Sequence, residues 1–451
     1  MKRAVYAFVL CFGLILGVLG ETNGLFFPLM LIGIISAGFI LLNDYEKGTY
    51  IIGLYALLDF FIREIVKSAT LGSLWDELLF VFLVLLWIYK WFVHRRDKGY
   101  KWTPLEAPLI IFFGFSIFHL IVNSPDISIS IEGFRAVVQY MLWYFLVVQL
   151  LKTKKGAKRL YLIILFTGII LGFHGVYQYI IGVEMPSNWV DSVEKGIRTR
   201  VFSIIGSPNI LGSIMTLTIP MGLSLVYAER KYLKKIFFAI STIAMTGCLV
   251  FTFSRGAWIG FIVAMVIFVL LKDKRLIIPG IVFIIIVVIF VPSVTDRMAY
   301  MMSEHYISRS LEGGRLIRWL TGIEMLKESP LLGVGLGHFG GAVAMNNNIP
   351  GTFYMDNFYL KTAVEMGILG LLAYFYLMYQ VVIWSYRTLI ILEDKYLKNI
   401  IIGALSGMTG VLAHNFVENV FEVPMMVTYF WILAGIIMFL RHRKIYEDIS
   451  C

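Results

Sequence analysis

The chain predicts an all-α fold, a polytopic integral membrane helix bundle of 12–14 transmembrane helices with an extracytoplasmic helical cap loop. Three observations predict it. Hydrophobic residues make up 59% of the 451 and charged ones 15%, with mean hydropathy +0.82, which excludes a soluble domain. Fourteen apolar runs divide the chain, most of them long enough to cross a hydrocarbon core of about 30 Å as helices. Lys and Arg gather in alternate joins, as the positive-inside bias requires. Runs so long and continuous are not barrel strands, so the backbone satisfies itself in lipid as helix.

The runs lie at 4–20, 24–42, 49–66, 74–93, 105–122, 133–151, 160–182, 209–228, 236–253, 256–271, 276–293, 358–385, 398–417 and 421–440. Lys2 and Arg3 precede the first, which lacks a clean small-residue cleavage site and is expected to be retained rather than removed as a signal peptide. The third holds Asp59, Arg63 and Glu64, so it is expected to be re-entrant or packed deep; Asp59 and Arg63 are spaced to pair as i and i+4. Basic clusters follow alternate runs: Arg95 to Lys101, Lys152 to Arg159, Arg230 to Lys235, Lys272 to Arg275, Arg387 to Lys398, and the tail at Arg441 to Lys444. All fall on one side if both termini are cytoplasmic. The net charge of +10 is thus a topology signal, and no nucleic-acid partner is implied. Residues 1–182 read as N-terminal transmembrane helices, 183–440 as a catalytic transmembrane region, and 441–451 as a cytoplasmic tail.

Two outer joins are long, 183–208 and 294–357. Within the second, Leu316, Trp319, Leu320 and Ile323 form an apolar stripe at helical spacing, with Arg315, Arg318, Thr321 and Glu324 on the polar side. A short amphipathic helix against membrane lipids is expected there. Ser329-Pro330 ends it, and Gly333, Gly335 and Gly337 follow as closely approaching backbone. Cys11, Cys248 and Cys451 suggest neither a disulfide nor a metal cluster, and no cofactor is implied.

Candidate chemistry concentrates on the outer joins. Arg255, in Thr252-Phe253-Ser254-Arg255-Gly256, sits at a tight reversal, where it either snorkels to the interface or binds an anion. Guanidinium suits phosphate because it presents a bidentate fork and keeps its charge. Arg315 and Arg318 follow Gly313-Gly314 at a helix start, where unpaired N–H groups and the dipole already favour phosphate; headgroup contact is the alternative. Arg198 and Arg200, before Ser207-Pro208-Asn209, form a third basic pair with the same two readings. Asp356-Asn357 closes the large loop, and Asp356 reads either as a general base or as an N-cap. His338 is a loop histidine, and His414-Asn415 with Glu418 is a polar cluster at the same face. The inner joins are too short for a nucleotide-binding domain, so any glycosyl donor comes from the membrane.

Several of these stretches together resemble the superfamily of O-antigen ligases and polymerases. They are Arg200-Val201-Phe202 leading to Ser207-Pro208-Asn209-Ile210-Leu211-Gly212, then Phe253-Ser254-Arg255-Gly256-Ala257-Trp258, Gly314-Arg315 with Trp319, Ser329-Pro330-Leu331-Leu332-Gly333-Val334-Gly335, and Asp356-Asn357 before Gly367 and Gly370. The resemblance covers roughly 195–430. It implies a metal-independent glycosyltransferase that takes a glycan from undecaprenyl diphosphate and passes it to a glycan, lipid or protein acceptor. By position, it assigns diphosphate binding to Arg255 and Arg315. The family's ligase histidine, followed by Asn, Ser or Gln, falls at Asp356, whose carboxylate can also take a proton. Arg318, Arg200, Asn209, Asn357, His338 and His414 are further substrate-contact candidates. A lipid-linked-sugar flippase or other multi-pass transporter is the competing class; transporters place charge near the bilayer midplane, whereas these residues sit at outer ends.

Overall fold

The computed structural model describes residues 44–66, 69–93, 99–186, 199–290, 292–300 and 303–450, with Leu41 and Trp189. The runs expected at 4–20 and 24–42, and Arg198, lie outside the described residues. The described elements are helices: α1 (Glu46–Gly53), α2 (Tyr55–Phe60), α3 (Ala69–Val93), α4 (Glu106–Val122), α5 (Ile127–Leu150), α6 (Lys154–Ile181), α7 (Pro208–Ala228), α8 (Tyr232–Phe251), α9 (Arg255–Lys272), α10 (Ile277–Phe290), α11 (Pro292–Tyr300), α12 (Glu304–Leu311), α13 (Arg315–Glu328), α14 (Ala342–Asn346), α15 (Phe358–Ile391), α16 (Lys395–His414) and α17 (Pro424–Ser450). Eight of them, α5 to α9 and α15 to α17, are long and apolar enough to cross a membrane. The chain is a multi-pass membrane protein.

Two expected spans take another form. The run at 49–66 breaks at Leu54 into α1, α2 and a π-helical turn, Phe61–Val66, where Arg63 meets Asp59 at 2.7 Å. The run at 276–293 yields only the 14 residues of α10, and Pro292 begins a new helix because its nitrogen cannot donate back to the old one. Elsewhere the punctuation is local. Thr153 caps α6 and Gly182, left-handed at φ 67°, ends it; Ser207 caps α7 with Pro208 at the first helical position.

The centre of the bundle is α16 packed between α7 and α9. Small residues permit this, since close backbone approach is what drives helices together in lipid. A methyl group on Gly407 would lie 2.2 Å from the Leu217 carbonyl oxygen, and one on Gly260 would lie 2.7 Å from that of Gly410. Gly407→Ala is therefore expected to cost about 1–3 kcal/mol through overpacking. Thermal unfolding in detergent checks this; an unchanged midpoint would show that the helices separate freely. This packing sets the start of α7, the start of α9 and the end of α16 side by side.

At the opposite end, Lys154 meets Glu447 at 2.6 Å, Lys444 meets Glu393 at 3.0 Å, and Tyr396 donates to Glu229. The basic joins after α5, α7 and α15 and the last turns of α17 thus share one end of the bundle.

One long helix is broken. Gly367, at φ 68° and ψ −178°, interrupts α15, and a segment of the large loop crosses the gap. Val334 N–H donates to Val364 O at 2.8 Å, Gly335 N–H to Glu365 O at 3.0 Å, and Ile368 N–H to Pro330 O at 2.8 Å. Glycine is required at 367, where a Cβ would lie 2.0 Å from Leu331 O. Below this crossing, the buried Lys361 Nζ meets Glu365 at 2.9 Å and Glu422 at 3.1 Å, and Glu422 accepts the Ala342 N–H at 2.8 Å. The cap is fastened to the first turns of α15 by backbone and by charge.

Candidate active site

Three helix N-termini meet at the cap end. Between α8 and α9 the chain reverses within Thr252-Phe253-Ser254, with Phe253 left-handed at φ 50° and buried. Arg255 is then the first residue of α9. Arg315 holds the same place in α13, after Gly313 (φ 146°) and Gly314. Asn209 lies in the first turn of α7. All three lines of residues face one open cavity of about 720 Å³, with Arg200, Arg297, Tyr306, Arg309 and Arg318 completing its charged wall. Six guanidiniums and one carboxylate, Glu312, line it among the described residues. Helix N-termini concentrate unpaired N–H groups and positive dipole, and arginines add to that field, so the cavity is built for an anion.

The arginines are fixed differently. Arg200 is buried; its Nε donates to Thr252 O at 3.0 Å, Nη1 to Trp189 O at 2.9 Å and Nη2 to Asn209 Oδ1 at 3.1 Å. Arg297 Nε donates to Phe253 O at 2.8 Å. These two hold the reversal that presents Arg255, whose guanidinium lies 5.0 Å from the Tyr306 ring centre. Arg315 and Arg318 instead engage carboxylates. Arg318 Nη1 meets Asp356 Oδ2 at 3.0 Å, Arg315 Nε meets the same oxygen at 3.6 Å, and Arg315 Nη2 meets Glu418 Oε2 at 3.6 Å. Asn209 donates a short hydrogen bond to Glu418. Burial pushes the Glu418 carboxyl above its ordinary range, Arg315 opposes that, and Asp356 adds to it.

Arg200, Asn209, Arg255, Arg315 and Arg318 therefore share the cavity wall, with Asp356 directly behind the last two. Four other candidates are placed differently. Asp356 is not the N-cap of α15: Asn357 accepts the Leu360 N–H at 3.0 Å, which turns Asp356 toward the arginines. That hydrogen bond also occupies Asn357 as a helix cap, away from the cavity lining. His338 does not line the cavity either; its Nδ1 is 2.9 Å from Leu336 O inside the glycine-rich turn. His414 is buried, with Nδ1 2.6 Å from Ser213 Oγ and its ring directly behind Gly256, so it supports the α9 terminus from within.

One residue of α13 departs from the expected apolar stripe, Trp319, which turns inward. Arg315, Arg318, Trp319 and Gly322 turn inward together, while Leu316, Ile317, Leu320 and Ile323 are exposed. The two arginines face the bundle and the apolar stripe faces out beside the exposed Glu324, which suits a helix at a lipid surface. Sequence reasoning passed over Arg297 and Arg309, and it named Glu418 without a role. Arg309 carried one available signal, since it precedes Gly313-Gly314 as Arg315 follows them.

Residues 240–375 match the family described as O-Antigen ligase. No curated protein matches the chain. The matched segment runs from within α8 through the cap to the middle of α15, so it contains Arg255, Arg297, Arg309, Arg315, Arg318 and Asp356. Arg200 and Asn209 line the same cavity from outside it, and Glu418 contacts Arg315 behind the wall. Residues 240–375 of this multi-pass membrane protein are thus similar to the O-antigen ligase family, a similarity that points to membrane glycosyl transfer in polysaccharide biosynthesis.

Proposed function

We propose that the chain transfers or polymerises a glycan carried on undecaprenyl diphosphate, at the outer face of a bacterial cytoplasmic membrane. The observation that carries the reading is the cavity itself: six guanidiniums, with Arg255 and Arg315 at helix N-termini, and a carboxylate pair immediately behind. Arg255 and Arg315 hold the donor diphosphate, with Arg318 beside them and Arg200 and Asn209 fixing the wall. Asp356 takes the proton from an acceptor hydroxyl. The acceptor oxygen forms a bond to the anomeric carbon as the bond from that carbon to the phosphate oxygen breaks. The electron pair leaves with the diphosphate, whose growing negative charge the preorganised arginines stabilise. The acceptor is a glycan, lipid or protein hydroxyl.

Purified protein incubated with undecaprenyl-diphosphate glycan tests this directly. A ladder of products on a gel marks a polymerase and a single shifted acceptor marks a ligase. Movement of the donor across vesicles without consumption would replace the reading with a transporter. Position relative to the membrane has its own check. Asn347 is exposed on the cap and Lys155 is exposed at the opposite end. Asn347→Cys is expected to react with an impermeant thiol reagent in intact cells while Lys155→Cys is protected; the reverse pattern would invert the topology.

A further inference from the structure

Arg315 and Arg318 stand between two kinds of anion. Both line the cavity, with side chains 30% and 35% exposed, whereas Asp356 and Glu418 behind them are 14% and 8% exposed. Neither carboxylate lines the cavity. One oxygen, Asp356 Oδ2, serves both arginines, and the two contacts of Arg315 are 3.6 Å long, beyond hydrogen-bond distance. A phosphate arriving from the cavity offers the bidentate, charge-assisted bonds that these contacts lack. Glu418 does not depend on Arg315 for its place, because Asn209 holds it and Arg200 holds Asn209.

We propose that the donor's diphosphate competes with Asp356 and Glu418 for Arg315 and Arg318, so that donor binding itself releases the proton acceptor. The proposal rests on the glycosyl-transfer reading above. In the resting site the carboxylates occupy the guanidiniums as stand-in anions. When the diphosphate takes the arginines, Asp356 loses both positive neighbours and becomes available to an acceptor hydroxyl. Glu418 acts as a positioning residue: it draws Arg315 back across the base once the diphosphate has left. Burial already raises the proton affinity of Glu418 against the opposition of Arg315, so withdrawing Arg315 raises it further. Donor must then bind before acceptor, since the base is engaged until it does.

The expected result has an unusual sign. Glu418→Gln keeps the size of the side chain and its contact with Asn209 but removes a competing charge. Inorganic pyrophosphate should therefore bind this variant about three- to tenfold more tightly than wild type, as expected when a competing state is removed. Asp356→Asn should do the same. Titrations at high ionic strength suppress contributions from distant charges. In wild type, pyrophosphate should increase carbodiimide modification of Asp356 and Glu418, read by peptide mass spectrometry. Equal or weaker binding in both variants, or unchanged modification while wild type binds pyrophosphate, would overturn the exchange. Failure of wild type to bind pyrophosphate at all would instead overturn the diphosphate site.

Discussion

Arg255→Ala and Arg315→Ala are each expected to abolish glycosyl transfer while leaving the protein inserted and folded. Each side chain starts a helix whose N-terminus faces the cavity, so each removal takes away a charge where the dipole field is also aimed. Losing one preorganised donor to developing charge costs about 10²–10³-fold in other enzymes. Here the loss should be larger, because a formal positive charge facing the proposed diphosphate leaving group is removed rather than a neutral donor. The fold should survive, since the reversal at Phe253 is held by Arg200 and Arg297 and α13 packs through Trp319 and Gly322. Lysine at either position should recover only part of the activity, as an ammonium offers a point charge without the fork. Product formation by purified variants checks this, with size exclusion reporting the folded state. Wild-type turnover in either alanine variant would end the diphosphate assignment.

Asp356→Asn is expected to lower transfer by about 10²–10⁴-fold, the usual worth of a general base. The substitution keeps size and hydrogen-bonding ability and removes only proton acceptance. Because Asn357 provides the cap of α15, the helix should start unchanged, so a loss of activity reports chemistry rather than folding. Asp356→His should retain measurable turnover, since imidazole accepts protons near neutral pH. Near-normal turnover of the Asn variant at neutral pH would remove Asp356 from the mechanism and leave Glu418 as the nearest carboxylate to Arg315.

Helix positions from α4 onward were largely legible because long apolar runs leave the backbone a single solution in lipid. The exceptions have local causes: Asp59 and Arg63 sit where α1, α2 and a π-turn replace one span, and Pro292 truncates another. In the site, Arg255 and Arg315 were legible because glycine and polar residues surround them between apolar runs. Glu418 was not, since its meaning depends on Arg315, 103 positions away in the chain, and only tertiary packing brings the two within 3.6 Å. The inward turn of Arg318 with Trp319 was hidden for a related reason. Periodicity groups Trp319 with Leu316, Leu320 and Ile323, and only tertiary packing against Phe339, Met355 and Val364 draws it inward.

The break at Gly367 bears on how this architecture can be divided and exchanged. Judged by hydropathy, the cap would be cut out at the point where α15 begins. The hydrogen bonds from Val334 and Gly335 to Val364 and Glu365, and from Ile368 to Pro330, join the cap to Phe358–Ile368 more firmly than to the remainder of that helix, and Glu422 links Lys361 to the cap at Ala342. A chimera that grafts the cap of one relative onto the bundle of another must therefore carry the helical stub through Ile368 as well. A seam at Asp356 would leave the break at Gly367 to be bridged by backbone from a different cap.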